Sequence, residues 1–322
     1  MANYIWKRIL MMIPVLLGVS LFIFVLMDLA PGNPALQVLG EDADPQAIAA
    51  FNAEHGLDKP LPVQWLNYIS GILTRFDFGT SYRTGKPVWN DIAARYPTTA
   101  LVAVLGVGLT ALIGITTGII SAIRQYTAWD TMATVFGMIG VSMPSFFTGL
   151  VLIYCFSQKL GWLPASGNFG WKYYILPTLT ISITSCARVM RMTRSSMLEV
   201  QRQDYIRTAR AKGQEERKVV LHHQLKNALI PIINVIGTQI GVHLGGSMIV
   251  EQIFSIPGIG KLMVDSIGYR DYPMIRACVL LIAFTFSLVN LGIDIVYAAA
   301  DPRIYAAFSG GKNRAAGKEA GK

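Results

Sequence analysis

Long apolar runs alternate with short polar segments along most of the chain. Six of the runs, at 9–29, 98–123, 132–157, 174–192, 229–250 and 276–299, reach the length of about 20 residues that a helix needs to cross the hydrocarbon core of a bilayer. The pattern predicts an all-α integral membrane protein of about six transmembrane helices. The first run is longer than the about 7–15 apolar residues of a cleavable signal. The following Asp28, Ala30 and Pro31 make a poor cleavage site, so the run is expected to stay as an anchor.

The same pattern divides the chain. Residues 1–30 are the anchor helix, and 31–97 form a loop long enough to carry short helices of its own. Residues 98–305 make a core of five spans, in which 197–228 is a polar loop. Residues 306–322 form a basic tail expected to be disordered. Within the first loop, "DPQAIAAFNAEHGL" places Pro45 at a helix start and Gly56 after its end. "LPVQWLNYISGIL" gathers Trp65, Tyr68, Ile69 and Leu73 on one face, which reads as an amphipathic helix lying on the membrane surface.

Small residues and proline mark positions inside the spans. Gly237, Gly241 and Gly245 recur every four residues, as do Gly114 and Gly118. That spacing lets helices approach closely or offers a smooth face to a path. Pro144 falls inside the third run, where a break or kink is expected.

The loop at 197–228 holds a periodic face of Tyr205, Thr208, Ala209 and Lys212, spaced as neighbours on one side of a helix. Gly213 follows, suited to the positive φ of a C-terminal cap. Glu215 and Glu216 then occupy a first turn, where carboxylates favour the helix dipole. The expected shape is a helix, a sharp glycine turn and a second helix entering the membrane near Leu229, with a kink near Pro231. The small side chains of Thr208 and Ala209 make this a knob open to close approach by another surface.

Composition agrees with a membrane setting: 52% of the 322 residues are hydrophobic, 15% are charged and the mean hydropathy is +0.44. The net charge of +9 needs no nucleic acid. With both termini inside, the inner segments hold Lys7, Arg8, Arg124, the cations from Arg188 to Lys226 and those of the tail, whereas the outer loops are near neutral, as the positive-inside bias requires. Cys155, Cys186 and Cys278 are isolated, and His55, His222, His223 and His243 have no ligand spacing, so no disulfide framework or metal site is expected. His243 lies inside a span and is expected to bond a backbone carbonyl. Arg188, Arg191 and Arg194 sit near the inner end of the fourth run, where snorkelling to the interface is expected.

An ion-coupled carrier needs carboxylates within its spans, yet Asp28, Asp294 and Glu251 fall at span ends. The chain also lacks GxxxxGK[ST] and so cannot cradle ATP phosphates itself. Ser142 and Ser145 have no base partner legible in the sequence, which leaves catalysis unsupported. A transporter without an engine must borrow one.

"YIRTARAKG" followed by "NALIP" resembles the coupling loop of ABC importer permeases, in the form found in the dipeptide, oligopeptide and nickel group. Arg207, Thr208 and Ala209 occupy the position of the family's Glu-Ala-Ala triplet, so its Glu has no counterpart here. "IPVLLGVSLFIFVLMDLAPGNPA", "FGTSYRTGKPVWNDIAARYPTTALVA", "GVSMPSFFTGLVL", "LGWLPASG", "EQIFSIPGIGKLMVDSI" and "RDYPMIRACVLLIAFTFSLVNLGIDIVYAAADPRI" are similar to further blocks of the B-type subunit, in order over nearly the whole chain. The resemblance implies a type I ABC importer permease fold in a bacterial inner membrane, both termini cytoplasmic. It implies four kinds of companion: a homologous second permease, two ATP-binding subunits, an extracytoplasmic binding protein and the bilayer. The chain itself would hold no cofactor, ATP and Mg being bound by the partner ATPases.

The resemblance also assigns candidate residues. Tyr205, Arg207, Thr208, Ala209, Lys212 and Gly213 are those for ATPase coupling. Asp77, Gly79, Ser81, Tyr82, Ser255, Pro257 and Lys261 are those for docking the binding protein. Independently of it, the spacing and position noted above make Pro144, Gly237, Gly241 and Gly245 candidates for the path or for helix packing. Di- or oligopeptides are the first cargo implied, with nickel chelates, glutathione or another small solute as alternatives. An ion-coupled secondary transporter is the alternative of a different class.

Overall fold

Helices carry almost all of the ordered backbone in the computed structural model, which describes residues 2–300 apart from Gly246, and the side chains of residues 5–296. The basic tail expected at 306–322 lies outside the described residues. Helix α1 (Ala2–Leu29) is followed by the short α2 (Pro34–Leu39), α3 (Pro45–Glu54) and α4 (Leu61–Arg75), then by α5 (Val88–Ile123) and α6 (Ala128–Ser142). Helix α7 (Ser145–Leu152) runs on as a π-helix, Ile153–Lys159. Next come α8 (Ile175–Gln201), α9 (Asp204–Ala211) and α10 (Glu216–Lys218), the last continuing through a π-helix, Val219–Gln224, into α11 (Leu225–Leu244). Helices α12 (Met248–Ile253), α13 (Ile259–Gly268) and α14 (Tyr272–Ala300) complete the described residues.

Among the described residues, four stretches are long and apolar enough to cross a membrane: Ile5–Leu29, Val88–Ile123, Glu216–Leu244 and Tyr272–Val296. A fifth arises if Ala128–Ser142 and Ser145–Lys159, bent by 103°, act as one broken span. These account for five of the about six spans expected. The fourth run does form a 27-residue helix, α8, but its arginines, serines and threonines leave it too polar to qualify. The bend in the third run falls where expected. Met143 is extended and Pro144 caps α7, because proline has no N–H to continue the ladder and its ring clashes with the preceding turn. The fifth run stops short of its predicted end, since α11 closes at Gly245 and Val250 belongs to α12. Pro231 lies inside α11, and the irregular turn expected there falls upstream, as the π-helix.

Helix α8 is the hub, packed along α5 and flanked by α6 and α11. Glycines let the backbones meet: a Cβ on Gly114 would come within 2.6 Å of Val189, and one on Gly118 within 2.6 Å of Thr193. The second glycine series packs α11 on α14, with virtual Cβ atoms 2.4 Å from Ile293 at Gly237, 2.9 Å from Phe286 at Gly241 and 3.2 Å from Ile282 at Gly245. These three glycines serve helix packing rather than a smooth path. The antiparallel α11/α14 pairing places the end of α14, the start of α1 and the α9 region at one end of the bundle. There Arg8 pairs with Asp294 at 3.0 Å.

The opposite end is capped by α2–α4 and α12–α13. Asn33 and Asp44 accept the Ala35 and Gln46 amides and so start α2 and α3. The apolar face of α4 does not rest wholly on lipid. Trp65 donates to Ser20 Oγ at 3.0 Å, and the Tyr68 ring lies 5.3 Å from Phe24, so this face covers α1, while Leu73 stays exposed.

Candidate functional site

Three features stand apart from the packed interior. At the α9 end, Ile206 and Ala209 turn inward and form a small cluster with Val219, against which Val200 packs. Tyr205, Arg207, Thr208 and Lys212 remain exposed. Ala209 therefore departs from the sequence expectation: it is buried under the chain's own helix and offers no surface to a partner. The 3.6-residue period put it beside Thr208 correctly, but only the return of the chain along Val219 decides which side is covered. Gly213 adopts φ 72° and its N–H bonds Arg210 O at 2.9 Å, closing the helix as expected. Across this turn Arg210 forms a fork with Glu216, Nε to Oε2 at 3.0 Å and Nη2 to Oε1 at 2.6 Å. Sequence reasoning missed this staple. Its signal was a cation and a carboxylate six residues apart, straddling a glycine.

The second feature is a polar face on α8 and α11. Arg194 binds Asp130 bidentately, Nε to Oδ1 at 2.9 Å and Nη2 to Oδ2 at 2.8 Å, while the Ser121 hydroxyl and the Tyr126 N–H also donate to that carboxylate. Arg188 and Arg191 have no carboxylate partner among the described residues. Arg188 reaches only Gln239 Oε1, at 3.5 Å. Both arginines line a cleft of about 510 Å³ between α8 and α11 with Ser195, Asn234, Thr238 and Gln239, and Arg191 and Ser195 continue into a neighbouring cavity of about 740 Å³. Arg188 stands thirteen residues into α8, or ~20 Å along its axis at about 1.5 Å per residue. Its guanidinium and that of Arg191 face this cleft. An arginine at a helix centre facing lipid costs ~2.5–3.5 kcal/mol on insertion scales and marks a path or cavity. Close by, His243 meets hydroxyls and not the expected backbone carbonyl: Nε2 lies 3.3 Å from Ser185 Oγ and Nδ1 2.9 Å from Ser247 Oγ.

The third feature joins the residues expected to dock a binding protein. Ser81 is buried and donates to Asp271, which also accepts the Tyr82 N–H at 3.0 Å. The Gly79 N–H bonds Asp77 Oδ1 at 2.8 Å. The Tyr82 ring packs on Phe51 and His55, and burial pushes its phenol up to about 12. Ser81 and Tyr82 thus anchor a hairpin, whose exposed tip is Arg83–Lys86. Arg83 stacks 3.6 Å over the Tyr269 ring, bringing the hairpin onto the end of α13. Lys261 lies at the start of the same helix, Ser255 is exposed at φ 49° and Pro257 is half-buried. Beneath them sits Glu251, fully buried, which accepts Thr99 Oγ1 and the Lys261 N–H, both at 2.9 Å. Thr99 Oγ1 in turn accepts the Ile259 N–H at 2.8 Å. Burial raises the Glu251 carboxyl. The sequence placed Glu251 at the end of a span and gave no hint of this knot.

Residues 114–305 match the family described as binding-protein-dependent transport system inner membrane component, and residues 1–103 match the N-terminal part of such membrane components. The glutathione transport system permease protein GsiC of Salmonella typhimurium (strain LT2) is 43% identical over 304 residues, covering 94% of this chain and 99% of that protein. GsiC of Escherichia coli (strain K12) is 42% identical over the same length and coverage. Among solved structures, the MetNI methionine ABC transporter in inward facing conformations superposes with a TM-score of 0.54 at 17% identity, over 65% of this chain and 96% of that one, a likeness of fold. Such permeases are non-catalytic transport subunits, and separate ATPase subunits hydrolyse ATP. The chain belongs to the binding-protein-dependent transport system inner membrane components and is an ABC importer permease of the peptide and nickel type.

Proposed function

We propose that this permease forms one half of an alternating-access path for short, peptide-like solutes across a bacterial inner membrane, with glutathione and di- or oligopeptides as its cargo class. The observation that carries the reading is the exposed polar face of α8 and α11, where Arg188 and Arg191 lack a carboxylate among the described residues. Such a face is stable only against water or a polar partner, so it is assigned to the path, completed by a homologous second permease. The relatives named for glutathione transport support a peptide-like cargo.

The α9 end is assigned to the cytoplasm and to one of two ATP-binding subunits. Its accessible face is Tyr205, Arg207, Thr208 and Lys212, held in shape by Gly213 and by the buried Ile206–Ala209–Val219 contact. ATP and Mg bind those partners and not this chain. The hairpin tip, Ser255 and Lys261 are assigned to an extracytoplasmic binding protein, with Asp77, Gly79, Ser81, Tyr82 and Pro257 shaping that surface. An ion-coupled carrier is disfavoured because Asp130, a carboxylate at the start of a candidate span, is tied to Arg194.

The test is purification through a tag on this chain, followed by reconstitution. The expected result is co-purification of P-loop subunits and ATP-dependent uptake of glutathione or short peptides, abolished when the ATPases lose their catalytic carboxylate. Uphill uptake driven by an ion gradient without ATP would overturn the assignment.

A further inference from the structure

We propose that the α8/α11 cleft is a carboxylate-receiving station for the cargo, with Arg188, Arg191 and Gln239 as its donors. The proposal rests on the path reading above and adds the chemistry of what is passed along it. Three arginines follow one another along α8, and the structure treats them differently. Arg194 is neutralised by Asp130 through two hydrogen bonds. Arg188 and Arg191, nearer the middle of the helix, face the cleft without a carboxylate among the described residues.

The base of the cleft has the same bias. Gln239 is buried, its Oε1 faces Arg188, and its Nε2 has no hydrogen-bond partner. The remaining polar lining groups, Ser195, Asn234 and Thr238, are neutral. Glu199 lines the adjoining cavity and not the cleft, and Asp130 is taken up by Arg194. Two guanidinium forks and an unpartnered amide N–H ask for an acceptor with two oxygens, and a carboxylate fits that geometry. A buried donor left unpaired also penalises a cargo lacking the acceptor. Peptides and glutathione carry a terminal carboxylate, so the station would select for a free acid end.

The decisive experiment works whichever solute is carried. Ser195→Cys is introduced into the chain, and the complete importer is placed in nanodiscs. Modification by an anionic and by a cationic methanethiosulfonate of similar size is then timed, after subtracting the labelling of the native cysteines. A cleft lined by one sign of charge concentrates the opposite sign by about tenfold or more. The anionic reagent is therefore expected to react about tenfold faster than the cationic one, and Arg188→Gln/Arg191→Gln is expected to bring the ratio near one. N-acetyl-triglycine is expected to slow the anionic reagent, and its C-terminal amide to leave it unchanged.

Equal rates for the two reagents, or a ratio untouched by the double substitution, would overturn the proposal. So would equal protection by acid and amide. Failure of both reagents to react overturns it as well, since the arginines would then face lipid or a carboxylate of the second permease. Loss of the cleft result with ATP-dependent uptake intact sinks only this inference; absence of any ATP-dependent uptake sinks the importer assignment instead.

Discussion

The Asp130–Arg194 pair offers a prediction whose size follows from its surroundings. The Asp130 side chain is 8% exposed and that of Arg194 27%. The carboxylate takes two bonds from the guanidinium, one from the Ser121 hydroxyl and one from the Tyr126 N–H. It ties the end of α5, the turn after it and the start of α6 to the C-terminal third of α8. Asp130→Asn keeps the shape, removes the charge and turns one acceptor into a donor facing arginine. Breaking a buried pair from one side costs about 3–5 kcal/mol, because the survivor remains buried and unpaired. The partial exposure of Arg194 puts the expected loss at the lower end, about 3 kcal/mol. Replacing both partners by apolar residues of similar volume, Asp130→Leu/Arg194→Met, is expected to cost much less than either single change, as neither charge is stranded. The assay is a double-substitution cycle read by thermal unfolding of the purified permease complex in nanodiscs. Single changes that cost below about 1 kcal/mol, or a double change that equals the sum of the singles, would refute the view that this carboxylate organises the junction of α5, α6 and α8.

Three further outcomes follow from the same geometry. Ala209→Glu places a charge in the Ile206–Val219 contact and is expected to expose the α9 amides to hydrogen exchange; Lys212→Glu, on the exposed side, is expected to leave exchange unchanged while weakening ATPase stimulation, and equal exchange in both variants would contradict the assignment of faces. Gly237→Val drives two methyl groups into Ile293, where even a Cβ would stand 2.4 Å away, and overpacking of this kind costs about 1–3 kcal/mol; Gly18→Ala, with nothing within 4 Å of its Cβ, is the control that thermal unfolding should leave unshifted. Glu251 has a raised carboxyl in the folded state, so its contribution is fully present below the ordinary carboxylate range near about 4.3 and is lost as pH rises through the folded value. Glu251→Gln is expected to flatten that part of the stability–pH curve, and an unchanged slope would show that burial of Glu251 is not its source.

The identity of the elements was open to inspection along the chain because it depends on local physics. Apolar runs long enough to span, Pro144 as a break and Gly213 as a positive-φ cap each follow from a residue's own backbone and from the solvent it prefers. The four-residue glycine spacing likewise announced close helix contacts, although not that α11 would meet α14 at Ile293, Phe286 and Ile282. Sidedness could not be read this way. Ala209 and Thr208 have the same local warrant, and the returning Val219 alone buries one and leaves the other open. Arg188, Arg191 and Arg194 look alike in sequence, yet Asp130, 64 residues from Arg194, neutralises one of the three. Thr99, Glu251 and Ile259 make their knot across 152 and 160 residues. Periodicity fixes which residues share a face of a helix, since that depends on neighbours a few positions apart. What covers that face, and which buried charge finds a partner, depends on segments brought together by packing, and that was settled only in the tertiary structure.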